Sequence, residues 1–149
     1  MSSDLVTTLA YARSNKVFGK LAYYGLKLLG VELPIPVRIG QDLEIAHGGF
    51  GIVIHSSSII GDRVKIYPGV NLGRSDIHRS MSESKFEGIV IEDDVILSPG
   101  CKILCKEGFL YVRKGTVIGA NAVLLKSTSV GDIWGGIPAK LIGKRESTE

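Results

Sequence analysis

Three histidines carry the most informative side-chain chemistry in this sequence of 149 residues. His47 lies in the glycine-rich segment HGGFG, His78 lies in the polar segment GRSDIHRSMSESKFEG, and His55 lies between them. A neutral imidazole can remove a proton from a hydroxyl group near neutral pH, and it can also bind zinc. These histidines are therefore the first candidates for a catalytic or metal-binding site.

The residues that must position these histidines follow a repeat of six. A helix would place apolar residues at steps of three and four, and a hairpin meander would alternate them. A fixed period of six is typical of the hexapeptide β-helix, in which each hexad forms a short strand and three hexads close one coil. The aliphatic positions are Ile54, Ile60, Ile66 and Leu72, then Ile91, Leu97 and Ile103, and finally Val112, Ile118, Leu124 and Val130.

Two of the three departures from this period contain a histidine. The interval from Ile45 to Ile54 contains His47, and the polar interval from Leu72 to Ile91 contains His78. Loops on a rigid scaffold often carry function, so segments 47–51 and 74–87 are predicted to be functional loops at corners of the prism. The third departure places EGFLY, before Val112, on a short bulge or loop.

Residues 4–29 predict two short helices, with Asp4 or Ser3 as cap, a break at Ser14-Asn15 and an end at Gly30. We interpret their apolar stripe as a surface that packs on the first coil or on a neighbouring subunit. Membrane association, assisted by nearby lysines, is the alternative. The stripe comprises Phe18, Leu21, Tyr24, Leu28 and Leu29, and the lysines are Lys16, Lys20 and Lys27.

The amino-acid composition limits which partners and which cellular compartment we expect for this protein. The net charge of +3 is mild, and no basic run is interleaved with aromatic residues, which argues against a nucleic-acid partner. Cys101 and Cys105 suggest no disulfide framework, and Cys101 takes an inward hexad position as a small core residue. Without a signal peptide or a long apolar run, we expect a cytoplasmic protein with no stable membrane insertion.

The hexads, the segment IAHGGFGIVI, the long polar loop and the closing GGIPAKLIG together resemble the hexapeptide acyltransferases. The similarity is to the branch that contains serine O-acetyltransferases and polysaccharide O-acetyltransferases. It covers residues 31–144 and implies an all-β fold, a left-handed parallel β-helix with a short N-terminal α-helical segment. The expected division is a helical segment at 1–30, the β-helix at 31–144 and a flexible tail at 145–149.

This resemblance also implies catalytic roles. His47 would be the general base, and Glu32, at the family's spacing of fifteen residues, would orient the imidazole. Two positions depart from the serine acetyltransferase pattern. Ala46 replaces an aspartate, and Gly88 stands where those enzymes have a second histidine.

The missing histidine and the longer loop favour a larger acceptor than serine. We expect O-acetylation of a sugar of a cell-surface polysaccharide or its precursor, and serine O-acetylation is the alternative. Arg74, Asp76 and His78 on the loop are the predicted acceptor-binding residues.

The resemblance further implies acetyl-CoA as co-substrate, bound in a groove between adjacent prisms of a homotrimer, with no metal. Small corner residues would let pantetheine lie against backbone amides, and two lysines would face the phosphates. The predicted cofactor-binding residues are Pro99, Gly100, Ala120, Leu125, Lys126 and Lys140.

Two other classes of protein use the same repeat. A metalloenzyme similar to γ-carbonic anhydrase would place His47, His55 and His78 around zinc, but His47 and His55 are eight residues apart across a loop, which fits such a site poorly. A non-catalytic hexapeptide scaffold subunit would need none of these residues.

Overall fold

Short strands wind around three sides of a prism in the computed structural model, which describes residues 4–146. Sheet 1 is parallel, in the order β1, β4, β7, β10, and sheet 3 is parallel, in the order β3, β6, β9, β12. Sheet 2 runs β2, β5, β8, β11, β13, and β14 is added antiparallel at its end. This is the left-handed parallel β-helix predicted from the sequence.

The strand bounds follow the hexads. Sheet 1 comprises β1 (Arg38–Ile39), β4 (Ser58–Ile60), β7 (Phe86–Ile91) and β10 (Gly108–Val112). Sheet 2 comprises β2 (Glu44–Ile45), β5 (Lys65–Ile66), β8 (Ile96–Leu97), β11 (Val117–Ile118), β13 (Asp132–Gly135) and β14 (Lys140–Lys144). Sheet 3 comprises β3 (Val53–Ile54), β6 (Asn71–Arg74), β9 (Lys102–Cys105) and β12 (Val123–Leu124).

The core is a stack of aliphatic residues in register. In sheet 3, Ile54 pairs with Leu72, Leu72 with Ile103 and Ile103 with Leu124, and all four are buried. Each coil therefore covers the apolar residue of the next, and the strand backbones bond between coils. Cys101 is also buried, as predicted, and burial raises the pKa of its thiol to about 12.

One position of the predicted repeat is wrong. Val130 is exposed, and Trp134 takes the inward place under Ile118 instead. The Trp134 indole N–H donates to Asp132 at 2.9 Å, so the ring closes the C-terminal end of the core. Of the two alternatives for the segment EGFLY, a bulge or a loop, the structure shows the first: most of the segment belongs to β10, whose register with β7 shifts between Gly108 and Phe109.

Two helices precede the prism, as predicted: α1 (Leu5–Ala12), capped by Asp4, and α2 (Gly19–Leu28), followed by Gly30 with φ +83°. The buried face of α2 consists of Gly19, Ala22 and Leu26. The predicted apolar stripe is exposed, so packing of that stripe on the chain's own first coil was wrong. Between residues 4 and 146, no helix has the length and apolar character to cross a membrane.

We expect Leu97→Ala to lower the free energy of unfolding by about 2–5 kcal/mol, because it opens a cavity between stacked coils. Ile59→Ala, on the outer side of sheet 1, is the matched control and should cost about 0.5 kcal/mol or less. Urea unfolding of both variants measures the difference. Equal losses would mean that the inward stack does not dominate stability.

Candidate active site

The predicted site residues lie along two edges of the prism that border sheet 3. The chain passes from sheet 2 to sheet 3 at the corners near His47, Gly69, Gly100 and Asn121, which we call the histidine edge. It passes from sheet 3 to sheet 1 at His55, the loop 75–85 and the corners at 106–107 and 125–127, which we call the loop edge.

His47 occupies an exposed turn at the first corner of the histidine edge. Its backbone is left-handed, with φ 52° and ψ 35°, and the neighbouring Gly48, Gly49 and Gly51 all have positive φ. Ala46 and Gly49 are buried and fix the turn to the prism, which leaves the imidazole outside. The ring lies 6.0 Å, centroid to centroid, from the Tyr67 ring on the next coil.

Glu32 does not make the expected contact with His47. One carboxylate oxygen of Glu32 accepts a hydrogen bond from the Tyr23 hydroxyl at 2.7 Å, and the other lies 3.0 Å from the Lys27 ammonium. The hydrogen bonds and ion pairs found between residues 4 and 146 include none that joins Glu32 to His47. In this chain Glu32 links α2 to the first coil, and its orienting role stays a prediction.

Below His47, glycines at successive corners of the histidine edge leave a strip of backbone that few side chains cover, and we call this the bare strip. A Cβ added at Gly51 would lie 3.5 Å from the Gly69 Cα, and one added at Gly69 would lie 3.4 Å from the Gly100 Cα. Pro99 and Ala120, two other predicted cofactor residues, are exposed on the same edge. Pro99, Gly100 and Ala120 therefore lie together, as a surface shallow enough for an extended pantetheine chain.

Three backbone N–H groups of this strip bond to the neighbouring coil. Gly69 donates to Phe50, Gly100 donates to Pro68, and Asn121 donates to Pro99, each within 3.0 Å. The Gly100 N–H therefore holds two coils together, and the contact of pantetheine with the backbone of this strip stays a prediction.

Lys102 is a residue of this edge that the sequence analysis missed. Its ammonium donates to the carbonyl oxygens of Gly69 at 2.9 Å and Gly100 at 2.8 Å. An ammonium has three N–H donors, so one remains for a ligand, and the fixed positive charge suits an anionic one. Lys102 lies four residues after Ser98 with no recognisable motif around it, so only the fold shows its position.

The loop at the other edge is fastened by an internal ion pair. Arg74 and Asp76 lie 3.4 Å apart, and both side chains are largely buried. Asp76 also accepts a hydrogen bond from Ser84 at 2.7 Å, and Arg74 donates to the Arg79 carbonyl. The Ser84 bond and then the charge of Arg74 hold the pKa of Asp76 below its ordinary value. These contacts give Arg74 and Asp76 a structural task, and their binding of an acceptor stays a prediction.

The remaining predicted residues divide between the edges. His78 is exposed on the loop, and Leu125 and Lys126 are exposed at the last corner of the loop edge. The Lys126 ammonium lies 5.6 Å from the centre of the Trp134 ring. Lys140 is exposed at the start of β14, beside Gly135 of β13. One chain thus holds Pro99, Gly100 and Ala120 on the histidine edge, Leu125 and Lys126 on the loop edge, and Lys140 in sheet 2.

Gly88, which stands where serine acetyltransferases have a second histidine, has no room for a side chain. A Cβ at Gly88 would lie 2.5 Å from the Ser57 carbonyl oxygen and 2.9 Å from the Phe109 ring. His55 lies nearby instead, with its ring 4.7 Å from that of Phe86. From the sequence, His55 is named only as one of three candidate zinc ligands.

The protonation of His55 follows from its contacts. Its Nδ1 accepts a hydrogen bond from the Ser57 N–H at 3.0 Å, so the proton of the neutral ring is on Nε2. Burial, followed by the charge of Arg74, lowers the pKa of His55. The loop edge therefore offers a neutral imidazole N–H donor beside the loop.

The three histidines do not form a metal centre within one chain. His47 and His55 flank β3 on opposite edges of sheet 3, and His78 is exposed on the loop. Across the described range 4–146, no group of three or more His, Cys, Asp or Glu side chains could hold a metal ion.

Sequence comparison finds serine acetyltransferases. The chain is 31% identical to that of Staphylococcus xylosus over 141 residues, which is 94% of this chain and 61% of the relative. It is 34% identical to that of Staphylococcus aureus over 113 residues, 76% of this chain and 49% of the relative. The chain thus spans about half to three fifths of the length of these relatives. No family model matches the sequence.

Solved structures agree on the fold. A serine acetyltransferase in complex with CoA superposes with a TM-score of 0.68 at 27% identity, over 93% of this chain and 54% of that one. The serine acetyltransferase of Brucella abortus gives 0.74 at 24% identity, over 97% of this chain and 56% of that one. The saccharide acceptor expected from the sequence finds no support among these proteins, whose names favour the alternative, serine.

Replacing Asp76 with Asn should loosen the loop, because Arg74 would lose its charged partner. We expect amide exchange across residues 75–85 to accelerate by about ten-fold or more, while the core strands keep their protection. Protonation should do the same to the wild type. Because the pKa of Asp76 is lowered, its contribution is complete at neutral pH and is lost as the pH falls through that pKa.

Glu87→Gln is the control, because Glu87 is an exposed carboxylate at the end of the same segment. This variant should leave amide exchange in the loop unchanged. Unchanged exchange rates in Asp76→Asn would show that the ion pair does not order the loop.

Proposed function

We propose that this chain, which belongs to the hexapeptide-repeat acyltransferase family, transfers an acetyl group from acetyl-CoA to the hydroxyl group of a small acceptor. The observation that carries the proposal is the exposed His47 imidazole at the head of the bare strip formed by Gly69, Gly100 and Ala120. A base is thereby placed at one end of a surface that suits an extended thioester substrate.

The acceptor that we propose first is serine, because the relatives are serine acetyltransferases. A saccharide hydroxyl is the second candidate, and one observation favours it. Gly88 cannot carry the second histidine of the serine enzymes, since Ser57 and Phe109 fill the space. Release of free thiol from acetyl-CoA, measured with serine and with a panel of sugars, separates the two. Turnover with neither class would contradict the proposed activity.

The chemistry assigned to His47 is proton transfer. Its neutral imidazole takes the proton of the acceptor hydroxyl as the oxygen attacks the thioester carbonyl. The imidazolium then returns that proton to the departing thiolate, which leaves the ring neutral for the next cycle. Direct transfer in this way needs no acyl-enzyme, and both cysteine side chains are buried.

Two residues are proposed to assist this step. Lys102 is held by two carbonyl oxygens beside the strip, where its charge would attract the anionic co-substrate. His55 has a free Nε2–H on the loop edge and would donate to an acceptor group held beneath the loop. Lys126 and Lys140 remain proposed partners of the phosphates.

We also propose that the complete site lies between two chains of a homotrimer. His47, Pro99, Gly100 and Ala120 lie on one edge of sheet 3, whereas the loop, Leu125 and Lys126 lie on the other. A single chain cannot bring these edges together without unwinding the prism. Two prisms side by side place the histidine edge of one beside the loop edge of the next, and a cyclic arrangement closes with three such contacts.

His47→Ala should lower kcat by about 10²–10⁴-fold, which is the usual contribution of positioned proton transfer. CoA binding measured by calorimetry should stay within about three-fold of the wild type, because the strip is unchanged. His78→Ala, which removes the predicted acceptor-binding histidine of the loop, is the comparison. Full activity in His47→Ala together with loss in His78→Ala would move the base to the loop.

Glu32→Gln tests whether the carboxylate acts through His47. If it does, the double variant should lose little more kcat than His47→Ala alone, because the two residues act as one unit. Tyr23→Phe removes the observed partner of Glu32 and serves as the comparison. Additive losses would mean that Glu32 serves only the junction between α2 and the prism.

Sedimentation equilibrium should give a trimer at micromolar concentration. A monomer with full activity at that concentration would contradict the shared site.

A further inference from the structure

One face of α2 and the residues just before it form an exposed apolar surface with lysines beside it. We call this the α2 surface, and its apolar members are Val17, Phe18, Leu21, Tyr24 and Leu28. Their exposure is high, from 61% at Phe18 to 89% at Leu28. Large side chains at this exposure on one face indicate a contact with something outside the chain.

The charge beside this surface has one sign. No aspartate or glutamate occurs between Asp4 and Glu32, whereas Lys16 and Lys20 are exposed within that interval. Lys27 is already paired with Glu32, and the Arg13 guanidinium is buried on the carbonyls of Pro34 and Val37. Two unneutralised lysines therefore border the apolar residues.

Phe50 extends the surface towards the histidine edge. Its ring is 74% exposed and lies against Gly30 at the end of α2, where an added Cβ would come within 2.6 Å of it. Phe50 follows His47 by three residues, so the α2 surface and the proposed base share the N-terminal end of the prism.

A second copy of the chain suits this surface poorly. In a symmetric contact of two α2 surfaces, Lys16 and Lys20 would face each other, and like charges repel. A contact with a different patch would be favoured most by a free acidic cluster. The acidic cluster of Asp62, Asp93 and Asp94 is already occupied by Arg63, which lies within 4.0 Å of all three.

We propose that the α2 surface docks on an anionic phospholipid bilayer. An interfacial helix buries its apolar face at the boundary of headgroups and acyl chains, and lysines beside it bind anionic headgroups. Leu21 and Leu28 enter the boundary, Tyr24 lies at headgroup level, and Lys16 and Lys20 meet the phosphates. The binding is peripheral and reversible, since α2 has only ten residues.

Vesicle co-sedimentation of the full chain tests this surface without reference to catalysis. The wild type should bind phosphatidylcholine vesicles that contain about one third phosphatidylglycerol, and it should bind pure phosphatidylcholine vesicles far more weakly. Lys16→Gln with Lys20→Gln should weaken the anionic binding by about 25-fold, about five-fold for each lysine. Leu21→Gln with Leu28→Gln should weaken it by about ten-fold or more for each residue.

The controls carry the same changes elsewhere. Leu141 is exposed on β14 at the other end of the prism, and Lys106 is exposed on the loop edge. Neither Leu141→Gln nor Lys106→Gln should change vesicle binding. The proposal is overturned if the wild type does not bind anionic vesicles, or if the α2 variants bind like the wild type. It is also overturned if the leucine variants instead lower the sedimentation coefficient, which would place a second copy on this surface. Because binding needs no turnover, these outcomes stand apart from the proposed activity.

Discussion

The in-register stacking of inward aliphatic residues is the constraint on which the rest of the structure depends. Leu72 lies between Ile54 and Ile103 in one sheet, and Leu97 lies between Ile66 and Ile118 in another. A slip of one residue would turn every inward side chain outward, so the coils have a single alignment. That alignment also fixes which corners lie above one another. The positions of His47 and the loop are thus consequences of core packing.

Two edges result from this packing, with different properties. The histidine edge is bare because glycines stack on glycines, and its backbone groups are used between coils. The loop edge carries the only long excursion in the described chain, fastened by Arg74 and Asp76. Sheet 3 separates them, and its short strands cannot fold over to join them. A catalytic site that uses both edges therefore requires a second prism, and this requirement links the fold to the proposed assembly.

The sequence predicted the prism, both helices, the core position of Cys101 and the corner of His47, because each rests on local periodicity or a local break in it. It did not predict that Trp134, and not Val130, takes the last inward position. The end of the last coil is set by tertiary packing of the indole ring, which the six-residue period does not show. The sequence also missed the partners of Glu32. Sequence spacing suggests that Glu32 and His47 share a face of the prism. It does not show that Glu32 binds Tyr23 and Lys27, because that contact depends on how α2 packs against the first coil. Lys102 has no sequence signal, and His55 is a candidate only as a histidine; the neighbours of both residues follow from the stacking of the coils.

The central claim is that the active site is shared between chains, and subunit complementation tests it directly. One chain carries His47→Ala, and the other has residues 77–83 replaced by a Gly-Ser link, which keeps Arg74, Asp76, Ser84 and Phe86. Each variant alone should be nearly inactive. Mixed trimers, co-expressed and purified through two different tags, should regain about one third of wild-type activity, because each of them has one interface of three at which both neighbours supply an unaltered edge. Mixed trimers with no recovered activity would show that each site lies within a single chain.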